Sequence, residues 1–348
     1  MQNLKSVIFI LVGVTLVFSL VPCVFAAPDQ MEQLYELAKE EGAVVWNTGG
    51  RVKTWKPLTD AFMKKFPSLD VKLVNVIAAK LAGQVITEYS AGKVSYDVSS
   101  QFASGYRPLF ERNMVERYDF TGFPINKERL IYDGRAIHQN YGMEVVVCNS
   151  NLVPEAKRPR TWEDLLDPRW KGKLVVRENW WLIAFLEFAG WTKEEAREYV
   201  KKLLKQDLTI VARGSQLRRR ILSGESLATI TAAELTHALI EREGAPFGYT
   251  RVSPVATFEW ATIALKGAPH PNAAKLLFMW LATDEAAEVL LKMGKAPYRG
   301  PLPISSTHGR LAHEYGWKAI QLDDTLEKMK QVEEGQREWR KMAGRELK

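Results

Sequence analysis

Four short segments combine side chains and backbone groups that could hold a small anion. Asn47-Thr48-Gly49-Gly50-Arg51 follows an apolar run, and its small residues let backbone amides approach a ligand beside a guanidinium. Gln101-Phe102-Ala103-Ser104 stands in a similar position after SYDVSS, at the join of a strand and a helix start. Either segment is equally readable as an ordinary strand-to-helix turn. Arg213-Gly214-Ser215-Gln216 offers a guanidinium, a flexible glycine and a hydroxyl that suit a carboxylate or phosphonate, unless Ser215 simply caps its helix. Glu178-Asn179-Trp180-Trp181 places vicinal indoles at a strand end, where they can stack on a planar or aliphatic solute. Neighbouring residues cannot both face the same way, so at least one of Trp180 and Trp181 is expected in a core. His138-Gln139-Asn140-Tyr141, Trp260 and the Tyr298-Arg299 turn complete the candidates, with Trp260 read first as core.

Enzyme signatures are absent from the sequence. The five histidines (138, 237, 270, 308 and 313) lack metal-ligand spacing, and there is no GxSxG elbow, P-loop or GxGxxG. Asp97 in YDVSS reads as a structural acceptor. Cys148, inside the apolar run MEVVVC, reads as a small buried hydrophobe. No metal or other cofactor is expected.

These segments need strands to carry them and helices to start beside them, and the chain supplies both. MEQLYELAKEEG, TWKPLTDAFMKKFP and AKLAGQVITEYSAG have helical periodicity, and they alternate with AVVWNT, DVKLVNV and SYDVSS. That order is the mark of parallel strands covered by helices. MEVVVC, KLVV, LTIVA, LATIT and FEWATIAL continue the strands, with helices over TKEEAREYVKKLLKQ, QLRRRILSG and AAELTHALIEREG. The fold class is therefore α/β, with a lobe over residues 27–148 plus 254–310 and a second over 149–253. Two extended crossing segments, near Cys148 and Val255, would act as a hinge with a ligand cleft between the lobes. Residues 311–348 read as exposed, charged helices with a sparse apolar stripe (Trp317, Ile320, Leu322, Leu326, Met329).

The first residues read as an export signal. Lys5, the run VIFILVGVTLVFSLV and the small-residue exit PCVFAA give a leader cleaved after Ala26, since Val24 and Ala26 fit the −3 and −1 positions. A retained anchor is one alternative. A lipoprotein cut before Cys23 is another, and Pro22 fits a lipobox poorly. Without residues 1–26 the chain has 47 Lys and Arg against 41 Asp and Glu, a net charge of +6. This excess suits an anionic ligand. Its interspersed charges do not suit nucleic acid, since dense arginine occurs only around Leu217–Arg220.

Thr161–Val176, TWEDLLDPRWKGKLVV, is the most specific stretch. With YELAKEEGAVVWNTGG, VVVCNSNLVPEAKRPRTWEDL and WATIALKGAPHPNAAKLLFMWLATDEAAEVL, it resembles the extracellular solute-binding proteins of bacterial ABC importers, in the branch of ferric-iron, thiamine and phosphonate receptors. The resemblance covers most of residues 30–300. It implies a two-lobe type II periplasmic-binding-protein fold, capture of a small solute by hinge closure, delivery to the transmembrane permease subunits of an importer, and no chemistry. A periplasmic or secreted monomer is expected. Iron-binding members carry adjacent tyrosines after the strand written here as LATIT, whereas this chain has Ala232, Ala233 and Glu234, which puts iron in doubt and makes Glu234 the cleft residue there. A metal-chelate receptor using Tyr141 or Tyr298, a secreted enzyme and a sensory receptor remain as alternatives. Within the stretch itself, Thr161 and Asp164 form a capping box, Pro168 stops the short helix, and Trp162 and Trp170 pack the turn onto the second lobe.

Overall fold

The computed structural model describes residues 30–49, 52–76 and 78–344. The leader, its cleavage site, Cys23 and Arg51 lie outside the described residues. The chain opens with α1 (Gln30–Glu41), β1 (Ala43–Thr48), α2 (Val52–Lys65), β2 (Asp70–Val74), α3 (Ala78–Ser90), β3 (Val98–Phe102) and α4 (Arg107–Glu111). Met31, Leu34, Tyr35 and Ala38 of α1 are buried at the spacing of one helical face, and Gly42 ends the helix at φ +69°, a conformation that favours glycine. β4 (Leu130–Ile131) precedes β5 (Ala136–Asn149), a strand of 14 residues. Then come β6 (Leu174–Arg177), α5 (Leu182–Phe188), α6 (Lys193–Leu204), β7 (Thr209–Val211), α7 (Gly214–Leu222), β8 (Ala228–Ala232), α8 (Ala233–Glu243) and β9 (Phe247–Tyr249). β10 (Val255–Ala264) returns toward α9 (Pro271–Leu281) and α10 (Asp284–Lys292), and α11 (Thr307–Tyr315), β11 (Ala319–Gln321) and α12 (Leu326–Met342) complete the described chain.

The strands join into one mixed sheet in the order β2-β1-β3-β10-β5-β8-β6-β7, with β4 and β9 beside β5 and β11 beside β10. Alternating helices and strands predict two helix-covered sheets; the structure has one, because β5 and β10 are long enough to run through both lobes as an antiparallel pair. Within the first lobe β1 is parallel to β2 and β3, and within the second β6 is parallel to β7 and β8. Two apolar cores flank the sheet in each lobe. One unites α1, α2 and α9 around Trp46, Phe62 and Trp280, and its counterpart in the second lobe gathers Trp162, Trp170, Trp181 and Phe185.

The stretch Thr161–Val176 folds as its residue types dictate. Thr161 N–H donates to the Asp164 carboxylate at 3.1 Å, and Asp164 N–H donates back to Thr161 Oγ1 at 3.2 Å. Trp162 and Trp170 are buried, and Trp162 Nε1 donates to the Pro254 carbonyl at 3.0 Å. They bracket the entry to β6.

The end of the chain corrects the expectation of exposed helices. Met329, Val332, Gly335 and Trp339 form a buried stripe on α12, which packs on α5; Val332 and Trp339 join the second lobe's core, while Met329 packs into a core of the first lobe. α11 also belongs to that lobe's packing, through Leu311 beside Trp317, Tyr249 and Ala233. The chain therefore crosses between lobes a third time, through the segment that follows α10.

Candidate functional site

The two faces of the crossing strands differ in side-chain exposure. Along β5, Tyr141, Met143 and Val145 are buried while Gly142 and Glu144 are half-buried; along β10, Thr257 and Glu259 are buried while Phe258 and Trp260 are half-buried. Pairing of Gly142 with Phe258 and of Asn140 with Trp260 puts the half-buried set on one face of the sheet. Phe102, at the end of β3 and opposite Trp260, shares that face. The result is an aromatic floor between the lobes. The Phe102 ring meets Trp260 at 4.9 Å and Phe258 at 5.9 Å between centroids, both edge-to-face, and Phe258 meets Trp181 at 5.7 Å. Gly142 is required here, because a Cβ at this position would fall 2.4 Å from Phe102 Cε1.

Charge is placed around this floor in pairs. Glu144 pairs with Arg177 at the end of β6, and its second oxygen accepts from Trp181 Nε1 at 2.8 Å. The Arg177 side chain keeps 33% of its surface exposed. On the first-lobe side, Trp55 of α2 stacks on Trp260 at 5.7 Å, and Lys295 lies 5.9 Å over the Trp55 ring. The Lys295 ammonium forms an ion pair with Glu234, in the first turn of α8 in the second lobe. Burial alone would raise the Glu234 pKa, but the charge of Lys295, that of His308 and the hydrogen bond from Lys295 together hold the carboxyl below its ordinary range.

The parallel registers gather most of the sequence candidates at two facing sheet ends. The ends of β1 and β3 carry Thr48-Gly49 and Phe102–Ser104, and the ends of β8, β6 and β7 carry Glu234, Glu178–Trp181 and Arg213–Ser215. Thr48 is fully buried, its carbonyl accepting from Asn75 Nδ2 at 2.7 Å, and Gly49 N–H donates to the Ser100 carbonyl at 2.9 Å. Ser104 is half-buried in a short turn of 3-10 helix. Ser215 does not cap α7: Arg213 is the N-cap residue, and its N–H donates to Gln216 Oε1 at 3.0 Å. Both Arg213 and Ser215 are exposed.

Several candidates sit elsewhere than expected. Trp180 and Trp181 are both buried: Trp180 packs edge-on against Trp339 of α12 at 5.1 Å, and Trp181 wedges between Phe185 and Phe258. Neither indole face is open to a solute, because α12 covers what an exposed tail would have left bare. Asn179 is exposed and accepts from Arg340 of the same helix at 2.7 Å. Tyr141 points to the opposite face from the floor, where its hydroxyl accepts from Gly300 N–H at 3.2 Å. Beside it the buried Glu259 holds His138 and lies 3.2 Å from Arg299 Nε. Tyr298 donates to Asp284 at 3.1 Å. Trp260, read first as core, is half-buried on the floor. Glu144, Arg177, Phe258, Trp55 and Lys295 were not singled out by the sequence, although a lone carboxylate in the apolar run Met143–Cys148 was a signal for the first of them.

Among the described residues no cluster of three or more His, Cys, Asp and Glu side chains is arranged to hold a metal ion, and no helix is long and apolar enough to cross a membrane. Cys148 is fully buried, and burial pushes its thiol up to about 12. The fold is that of known binding proteins. It superposes on iron-bound HitA from Pseudomonas aeruginosa with a TM-score of 0.67 at 16% identity, over 86% of this chain and 99% of that one. The substrate-binding protein of an ABC transporter from Agrobacterium tumefaciens gives a TM-score of 0.70 at 12% identity, over 89% of this chain and 97% of that one. An uncharacterized protein of Haemophilus influenzae is 30% identical over 145 residues, 39% of this chain, so that the match spans about two fifths (41%) of that relative's length. Residues 109–319, more than half of the chain, match the family model of the bacterial extracellular solute-binding protein, and the chain belongs to that family.

Proposed function

We propose that the protein is the receptor of an ABC importer, capturing a small anionic solute between its lobes and presenting the closed complex to the permease. The observation that carries this reading is the half-buried aromatic floor of Phe102, Phe258 and Trp260, built on the crossing strand β10 and the end of the first-lobe strand β3. A solute with a planar or aliphatic face stacks there. Arg177, Lys295 and the positive backbone ends of α2 and α8 supply the attraction for its charge. Bending of β5 and β10 brings the second lobe down onto the solute, whose interactions with both lobes at once stabilise the closed form. Export by cleavage after Ala26, action as a monomer and the absence of catalysis belong to the same reading.

The test is a thermal-shift screen of carboxylates, phosphonates, sugars, free cations and ferric complexes, with small-angle scattering on each hit. Stabilisation by an anion accompanied by a smaller radius of gyration is expected; stabilisation only by a free cation or a neutral sugar refutes it. A ferric-complex receptor is the second reading, favoured by the likeness to iron-bound HitA. It requires oxygen donors from residues other than Ala232 and Ala233, and a charge-transfer band on adding ferric citrate would select it.

A further inference from the structure

The ion pair between Lys295 and Glu234 differs from the other charge contacts around the floor, because each lobe supplies one half of it. Lys295 follows α10, whereas Glu234 opens α8 on the second-lobe sheet end. The Lys295 side chain is only 6% exposed, while that of Glu234 is 41% exposed. The lysine is also held in place from behind. The next residue, Ala296, donates its N–H to Asn140 Oδ1 at 2.8 Å, and its carbonyl lies 2.9 Å from His138 Nε2, which ties the segment to β5. Its ammonium rests over Trp55, the indole stacked on Trp260 of the floor. His308 of α11 is buried close enough to feel both charges, and neither of its ring nitrogens has a hydrogen-bond partner. The lysine is thus fixed and shielded beside the floor, and its counter-ion is a half-exposed side chain on the opposite lobe.

We propose that Lys295 is the residue that reads the negative charge of the solute, and that Glu234 is its resident counter-ion, displaced when an anion enters. This rests on the receptor reading above and extends it to how the site selects. An anion lying on Trp260 reaches the ammonium over Trp55. The Glu234 carboxylate, left in place, would repel it at close range. Leaving is easy for Glu234, since the first turn of α8 favours a carboxylate without help from Lys295, and its outer surface already faces water. In the empty protein the same pair limits how far the lobes open. Selection for anions and a limit on opening therefore come from one contact.

The experiment uses the full-length chain, Glu234→Gln, Lys295→Met and the charge exchange Glu234→Lys with Lys295→Glu, with benzoate and methylphosphonate as probes in calorimetry and small-angle scattering of the ligand-free proteins. Glu234→Gln should bind the probe anions about tenfold more tightly, which is about 1.4 kcal/mol, and Lys295→Met at least tenfold more weakly. Both should have a larger ligand-free radius of gyration than the parent, and the charge exchange should return it to the parent value. Weaker anion binding in Glu234→Gln overturns the proposal, because the carboxylate then helps the solute instead of competing with it. Equal affinity in the parent and both single variants also overturns it. If no probe binds any of the proteins, the anion-receptor reading fails while the interlobe role is decided by scattering alone: larger radii in both single variants support it and unchanged radii overturn it.

Discussion

Replacing Gly142 by alanine tests the floor most directly. An ideal Cβ there lies 2.4 Å from Phe102 Cε1 and 2.9 Å from Cζ, whereas carbon atoms in ordinary contact sit about 3.5–4.0 Å apart. The Phe102 ring must retreat by about 1 Å or more, and it is held on two sides by Trp260 and Phe258. Losing two edge-to-face contacts at about 0.5–1.5 kcal/mol each removes about 1–3 kcal/mol. The reduced backbone freedom of the unfolded chain returns about 0.4–1 kcal/mol. The net loss of about 0–2.6 kcal/mol corresponds to a fall in Tm of at most about 10 °C. The decisive comparison is a double-mutant cycle by urea unfolding. With Phe102→Ala already in place, the added methyl group has room, and Gly142→Ala should be neutral or mildly stabilising. If the two substitutions add within about 0.5 kcal/mol, the ring does not press on Gly142, and the floor as described is wrong. On the proposed reading, anion affinity should fall in Gly142→Ala as well, since the displaced ring would occupy the place proposed for the solute.

Three further outcomes follow from burial. Trp339→Ala in α12 empties a fully buried site against Trp180 and should destabilise by about 3–5 kcal/mol in urea unfolding, whereas an exposed tail would give no change. Cys148 should react with a thiol reagent slowly in the native protein and rapidly in denaturant, because burial raises its pKa and hides the sulfur; fast native labelling contradicts the fold around β5. His308 is held neutral by burial, with its pKa lowered from 6.5 to about 4. The unfolded chain therefore takes up this proton first, and the contribution to stability is full above pH 6.5, then declines as pH falls from there to about 4. A shift of this size is worth about 3 kcal/mol. His308→Gln should flatten that part of the pH–stability curve, and an unchanged slope would refute the assignment.

The strands and helices were legible because each follows from a local pattern. The period of α1, the capping residues around Thr161 and the apolar runs of β5 and β8 act over a few residues. The facing of the crossing strands was not legible in the same way. MEVVVC and FEWATIAL show where β5 and β10 run, but either face of the pair could have been open. The segment after α10 reaches over the other face, where Gly300 bonds Tyr141 and Arg299 lies beside Glu259, and a cavity of about 270 Å³ remains there between Tyr141, Thr257 and Arg299. Burial of both Trp180 and Trp181, where one was expected to stay open, has a related reason. Vicinal indoles at a strand end look available until a helix more than 140 residues away closes over them. Reading residues 311–348 as an exposed tail and reading Trp180 as a cleft residue were therefore one error, since the side chain that buries Trp180 is the Trp339 assigned to that tail.

The same packing explains how a floor can take part in closure. Phe102 ends a first-lobe strand, Phe258 sits on a crossing strand, and Trp181 begins a second-lobe helix, so the aromatic row spans the hinge from one lobe to the other. Edge-to-face contacts depend on ring angle and separation, and a change in the bend of β5 and β10 must alter at least one of them. A solute stacked, as proposed, on Phe102 and Trp260 would therefore interact with groups whose arrangement depends on lobe angle. That gives it different free energies in the open and closed forms, which is the condition for a ligand to shift a conformational equilibrium. Glu144 adds to this coupling. It lies on the crossing strand but bonds Arg177 and Trp181, so the second lobe is tied to the floor by a charge-assisted contact as well as by packing. A rigid floor with mobile walls would bind without signalling. On the proposed reading the floor belongs to the hinge, and occupancy and closure would be linked through the same side chains.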